Sequence, residues 1–136
     1  MEPIWDFRDL TAHERAVMDR LVQNSGELRP KLEADLRTVK VVSRCGCGCP
    51  TLDFGLAPRE RRTTAGWIGA AGDFQSPDGR HLELTLLLDA ADRLASLDVT
   101  DQNAREGAYV LPPADQIHYF SRRGRLLDDQ AAEELK

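Results

Sequence analysis

Near residue 38 the spacing of apolar positions changes from helical to alternating, and that change divides the chain into two kinds of structure. Leu10, Val17 and Leu21, with Met18 and Val22 on adjoining rows, form one apolar stripe, while Arg15, Asp19, Arg20 and Gln23 face away. Thr11-Ala12-His13-Glu14 has the form of a capping box, so a helix is predicted to begin there and to end at Asn24-Ser25-Gly26. A second helix is predicted at about residues 27–35, where Leu28, Leu32 and Leu36 recur every fourth position. Pro30 falls in its first turn, where a missing N–H does least harm.

From Thr38 the period becomes two. Val39 and Val41 share one face, and Thr38 and Val42 the other, which predicts a strand. Farther on the apolar positions are Leu52, Phe54 and Leu56, so the buried set has moved from odd to even numbers. An uninterrupted strand keeps its parity, so the chain must turn or bulge between Arg44 and Thr51. Gly46, Gly48 and Pro50 suit a turn, and the segment is expected to be a loop joining two antiparallel strands.

Ser76-Pro77-Asp78-Gly79 predicts a type I turn closing a hairpin between about 66–75 and 80–89. Ile68, Ala70 and Phe74 line one strand, and Leu82, Leu84, Leu86 and Leu88 the other. Asp89-Ala90-Ala91-Asp92 is a second turn, leading to a strand that carries Leu97 and Val99. These elements predict an α+β fold, with two N-terminal helices packed on one face of a meandering antiparallel sheet of four to five strands. Residues 101–116 read as a long loop or the end of the compact domain, and Ile117–Phe120 as a short edge strand or a docking segment. Residues 1–120 are expected to form a single domain, and 121–136 a polar tail, helical or frayed.

At 136 residues, with 41% hydrophobic and 30% charged positions, the chain has the make-up of one soluble globular domain. Its net charge of −5 is uneven, with 11 Lys/Arg against 10 Asp/Glu in residues 1–68 and 7 against 13 in residues 69–136. That balance argues against a nucleic-acid partner, which would need a clustered cationic face. Arg59-Glu60-Arg61-Arg62 and Arg122-Arg123-Gly124-Arg125 read as solvated loop charge, without interleaved aromatics for base stacking. Trp5 and Trp67 read as packing anchors. The start Met-Glu-Pro-Ile-Trp-Asp lacks the pattern of a secretory signal, and no apolar run reaches the ~20 residues of a membrane span, so a cytoplasmic protein is expected.

Chemistry concentrates in Cys45-Gly46-Cys47-Gly48-Cys49-Pro50, which holds all three cysteines. In a reducing compartment, closely spaced thiols point to metal, redox chemistry or packing before a disulfide framework. Cys45, Cys47 and Cys49 offer three thiolate ligands, suited to zinc or to soft Cu(I), if the loop curls so that the sulfurs converge. A fourth ligand is missing locally. Of the imidazoles His13, His81 and His118, His81 at the start of a strand is the expected partner, although no spacing rule connects it to the loop.

Two other readings stand beside metal binding. A Cys-x-Cys bridge needs a bent, readily reduced geometry, which glycine permits and which is how a redox-active pair behaves. Alternatively the cysteines are small buried side chains filling a glycine-rich turn, in a non-enzymatic module that binds a protein partner or acts like an immunity protein. Arg44 is the sole adjacent cation to activate a thiol. Asp89, Asp92, Asp98 and Asp101 are explained by turns and strand surfaces, and no serine elbow, phosphate loop or His-Glu metal pair appears, so no catalytic residue is assigned.

Leu10-Thr11, Glu14 to Asp19, Glu27-Leu28-Arg29 and Arg44 through Asp53 together resemble a group of small uncharacterised bacterial proteins, mostly actinobacterial. The similarity covers roughly residues 9–57, with Leu94 to Val99 as a looser match. The group carries no assigned activity. The resemblance implies a shared fold, with helix, linker and cysteine loop in one unit, and gives no role to any residue.

Overall fold

In the computed structural model, residues 3–65, 67–103 and 109–125 are described. A strand precedes the helices: β1 (Ile4–Arg8) pairs antiparallel with β2 (Lys40–Arg44), so the helices lie between two strands and do not open the fold. The hydrophobic pattern missed β1 because its apolar residues are not buried; Ile4, Trp5 and Phe7 are all exposed at the sheet edge. Helix α1 (Ala12–Val22) starts at the expected capping box. Thr11 Oγ1 accepts from the Glu14 N–H at 3.1 Å, and the Glu14 carboxylate accepts from the Thr11 N–H at 2.9 Å. Helix α2 (Arg29–Leu36) follows a 3-10 turn over Gly26–Leu28, with Pro30 in its first turn.

The remaining strands are β3 (Leu52–Ala57), β4 (Glu60–Arg61), β5 (Trp67–Gln75), β6 (His81–Leu88), β7 (Leu94–Asp101) and β8 (His118–Arg125). All pairings are antiparallel, in the order β1-β2-β3-β7-β6-β5-β8, with the short β4 beside β3. The expected hairpins, β2–β3 across the cysteine loop and β5–β6 across residues 76–80, both form. Two expectations are corrected. The sheet path has seven strands rather than four to five, and it meanders only locally, because β3 pairs with β7 and β8 returns to β5. β8 also runs past the expected end of the domain at residue 120 to Arg125, and the rest of the predicted tail, 126–136, lies outside the described residues.

Alternation along β6 decides the core. Leu82, Leu84, Leu86 and Leu88 are buried in one cluster with Val17, Met18, Leu21 and Val22 of α1 and Leu32 and Leu36 of α2. Phe54, Leu97 and Val99 continue that cluster across β3 and β7. Each fully buried leucine contributes roughly 1.5–3 kcal/mol relative to its exposed state, so this face dominates the stability of the fold. Gly72 allows β8 and the residue before it to approach, since a Cβ there would lie 2.7 Å from Ile117 Cγ2 and 3.1 Å from the Phe120 ring. Leu56 departs from the alternation that included it: it is 56% exposed, while Leu52 and Phe54 are buried.

Two basic and aromatic expectations also change. Trp5 is no buried anchor; the guanidiniums of Arg59 and Arg61 lie over its ring at 5.7 and 5.6 Å. Arg62 is not solvated loop charge, because its side chain is only 7% exposed and donates to Asp35 Oδ2 at 2.6 Å and to the Leu94 carbonyl at 3.0 Å. Asp35 Oδ2 also accepts from the Leu94 N–H at 2.9 Å, which ties α2 to β7. Among the described residues no helix is long and apolar enough to cross a membrane.

Removing one partner of that pair leaves a buried guanidinium uncompensated and an amide unpaired. Asp35→Ala is expected to destabilise the fold by about 3 kcal/mol, measured by urea denaturation. A loss below about 1 kcal/mol would show that Arg62 reaches solvent without its partner.

Candidate metal centre

The cysteine loop is fixed at both ends by strand pairing. Arg44 pairs with Leu52 as the last β2–β3 pair, and the Cys45 N–H then donates to the Thr51 carbonyl at 3.2 Å, closing the turn. A register shift between Val41 and Ser43 adds to the turn, so the parity change read from the sequence is absorbed by both a bulge and a loop. Gly48 adopts φ 95°, a left-handed conformation that side chains disfavour. Beyond Pro50, Thr51 Oγ1 accepts from the Val99 N–H at 3.0 Å, which holds the end of the loop against β7.

Within this frame the three sulfurs converge. Cys47 Sγ lies 2.7 Å from Cys45 Sγ and 2.9 Å from Cys49 Sγ, and all three lie within 4.8 Å of one another. Cys47 is exposed and its neighbours are half-exposed, so the cysteines do not fill a buried turn. Three thiolates so placed could hold a metal ion. With zinc at about 2.3 Å from each sulfur, the sulfurs of a tetrahedron stand about 3.8 Å apart, so a widening of about 1 Å per contact admits the ion.

The sulfurs share charge unequally. Hydrogen bonding with Cys45 and Cys49 favours the thiolate at Cys47 and brings its pKa down to about 7. Cys45, holding its proton toward Cys47 and partly desolvated, is pushed up to about 11. This arrangement supplies the activation that the sequence lacked. The neighbouring thiols do the work expected of a cation, and Arg44 instead lies 3.7 Å from Asp6.

Beside the loop opens a groove of about 420 Å³. Cys45, Cys49 and Pro50 form one wall, Arg8 and the first turn of α1 with Thr11, His13 and Glu14 another, and Tyr109 to Leu111 a third. Arg8 donates to both carboxylate oxygens of Glu14, at 2.7 and 2.9 Å. Burial alone would raise the Glu14 carboxyl, but the Arg8 guanidinium and the Thr11 amide together hold it below the usual range. Tyr109 donates to the Val99 carbonyl at 3.2 Å; burial raises its phenol, and negative charge at Cys49 adds to the effect.

His81, the imidazole expected to complete the site, does not line the groove. It faces Asp73 Oδ2 at 3.5 Å across the β5–β6 pair. His118 lies on β8 and also lies outside the groove lining. His13 is the imidazole in the groove wall, with Nε2 donating to the Pro112 carbonyl at 2.9 Å. Sequence spacing could not have singled out Tyr109, Val110 and Leu111, which reach the groove from about sixty residues beyond the loop. The four aspartates behave as turn and strand residues: Asp89 accepts from the Ala91 and Arg93 N–H groups and Asp101 from the Asn103 N–H, Asp92 takes φ 58°, and burial raises half-buried Asp98.

No family model, curated protein or solved structure matches the chain.

A thiol at Cys47 that ionises near pH 7 should be alkylated first by iodoacetamide, with a rate that climbs between pH 6 and about 8 while Cys45 stays slow. Peptide mass spectrometry of partly modified native protein, freed of metal by a chelator beforehand, resolves the order. Equal rates at the three positions, or Cys45 reacting first, would contradict the charge sharing.

Proposed function

We propose that this protein is a small metal-binding domain in which Cys45, Cys47 and Cys49 hold a thiophilic ion, with zinc as the first candidate. The observation that carries the reading is the convergence of three accessible sulfurs on one loop, anchored on both sides by the sheet and opening to a groove. Thiolates select soft or borderline ions, and three of them leave one position of a zinc tetrahedron to be filled. Zinc against three thiolates carries a net charge of −1, and Arg44, in the groove wall and 3.7 Å from Asp6 at its closest ion pair, is the cation beside the loop. Binding requires displacement of the thiol protons, so affinity rises with pH.

A thiol-redox role is the second reading, favoured by the accessible Cys47 and its two sulfur neighbours within 3 Å. The two differ in what the purified protein contains. Protein prepared without chelators should carry about one equivalent of metal by elemental analysis and shield its thiols from a thiol reagent. A Cys45→Ser, Cys47→Ser, Cys49→Ser triple variant should carry none while keeping its circular dichroism spectrum. Metal-free protein with reactive thiols that cannot be reconstituted by added Zn(II) would reject the metal reading in favour of the redox one.

A further inference from the structure

We infer that His13 is the fourth ligand, completing a Cys3His zinc site across the groove from the cysteine loop; this rests on the metal-binding reading above. The first support is the state of the ring. A carbonyl oxygen can only accept, so the 2.9 Å contact with Pro112 requires Nε2 to carry the hydrogen. In the neutral imidazole the lone pair then lies on Nδ1. Metal-bound histidines are held in this way, with one ring nitrogen donating to a carbonyl or carboxylate and the other free for the ion.

Position is the second support. His13 lines the same groove as Cys45 and Cys49, whereas His81 and His118 do not. The ring lies outside the 4.8 Å cluster of sulfurs, so capture of the ion draws the glycine-bearing loop toward the imidazole. The hydrogen bond to Pro112 keeps the ring on the groove wall, and the loop, which lies beyond the last strand pair, can close on it without disturbing the core.

Charge is the third. The nearest carboxylate in the wall, Glu14, is already bound by both Arg8 nitrogens and by the Thr11 N–H, and it would take the complex to −2. A neutral imidazole leaves the complex at −1, facing Arg44 and the N-terminal end of α1, which carries a partial positive charge. Three thiolates and one imidazole also match the closed donor set of structural zinc sites.

Zn(II) affinity and the Co(II) spectrum of full-length protein test the assignment, with wild type, His13→Ala and His81→Ala compared by competition with a chromophoric chelator. Wild type should give the intense visible bands of tetrahedral cobalt with three sulfurs and one nitrogen. His13→Ala should bind Zn(II) more than about tenfold more weakly, shift those bands, and recover affinity on addition of free imidazole. His81→Ala should match wild type. Wild-type binding with an unchanged spectrum and affinity in His13→Ala would overturn the His13 assignment alone, leaving the three-thiolate site. Failure of wild type to bind Zn(II) or Co(II) would overturn the metal reading and this inference together.

Discussion

Two residue pairs hold the two halves of the sheet together. Leu52 with Leu97 and Asp53 with Ser96 make up the β3–β7 pairing, the link between β1-β2-β3 and β7-β6-β5-β8. Thr51 Oγ1 extends this seam by its hydrogen bond from the Val99 N–H, and Ser96 Oγ adds another to the Leu52 carbonyl at 3.0 Å. A ladder so short needs support from packing. Phe54, Leu97 and Leu84, all fully buried, supply it from one continuous cluster beneath the helices.

The cysteine loop begins where this seam ends, and that explains why a flexible, glycine-bearing segment can present sulfurs in a defined arrangement. One end leaves β2 at Arg44, and the other enters the seam at Thr51. Between them the free length is only the few residues that carry the thiols. Any ion drawn into the three sulfurs would therefore be coupled to the point on which the sheet's continuity depends, and binding energy at the loop would add to the stability of the fold.

Much of the local structure was legible in the sequence because it follows from local rules. The capping box at Thr11 and Glu14, the proline in the first turn of α2, the Ser76–Gly79 turn and the leucine alternation of β6 each depend on residues a few positions apart. What escaped was decided by distant partners. β1 is an edge strand with exposed apolar residues, so its burial pattern carried little signal; Arg62 looked like surface charge until α2 brought Asp35 to it. Leu56 kept the strand period but fell beyond the cover of the core.

By itself the sequence determined an α+β chain with two helices and a largely antiparallel sheet, and a turn or bulge between Arg44 and Thr51 required by the parity change from Val41 to Phe54. These are consequences of backbone geometry and side-chain periodicity. Only the tertiary structure decided the strand order and which imidazole lines the groove beside Cys45 and Cys49. Those properties arise from contacts between segments tens of residues apart: Cys49 near Tyr109, Thr51 on Val99, and His13 on Pro112. The spacing of residues along a chain holds no record of which surfaces will meet when its apolar faces are buried together.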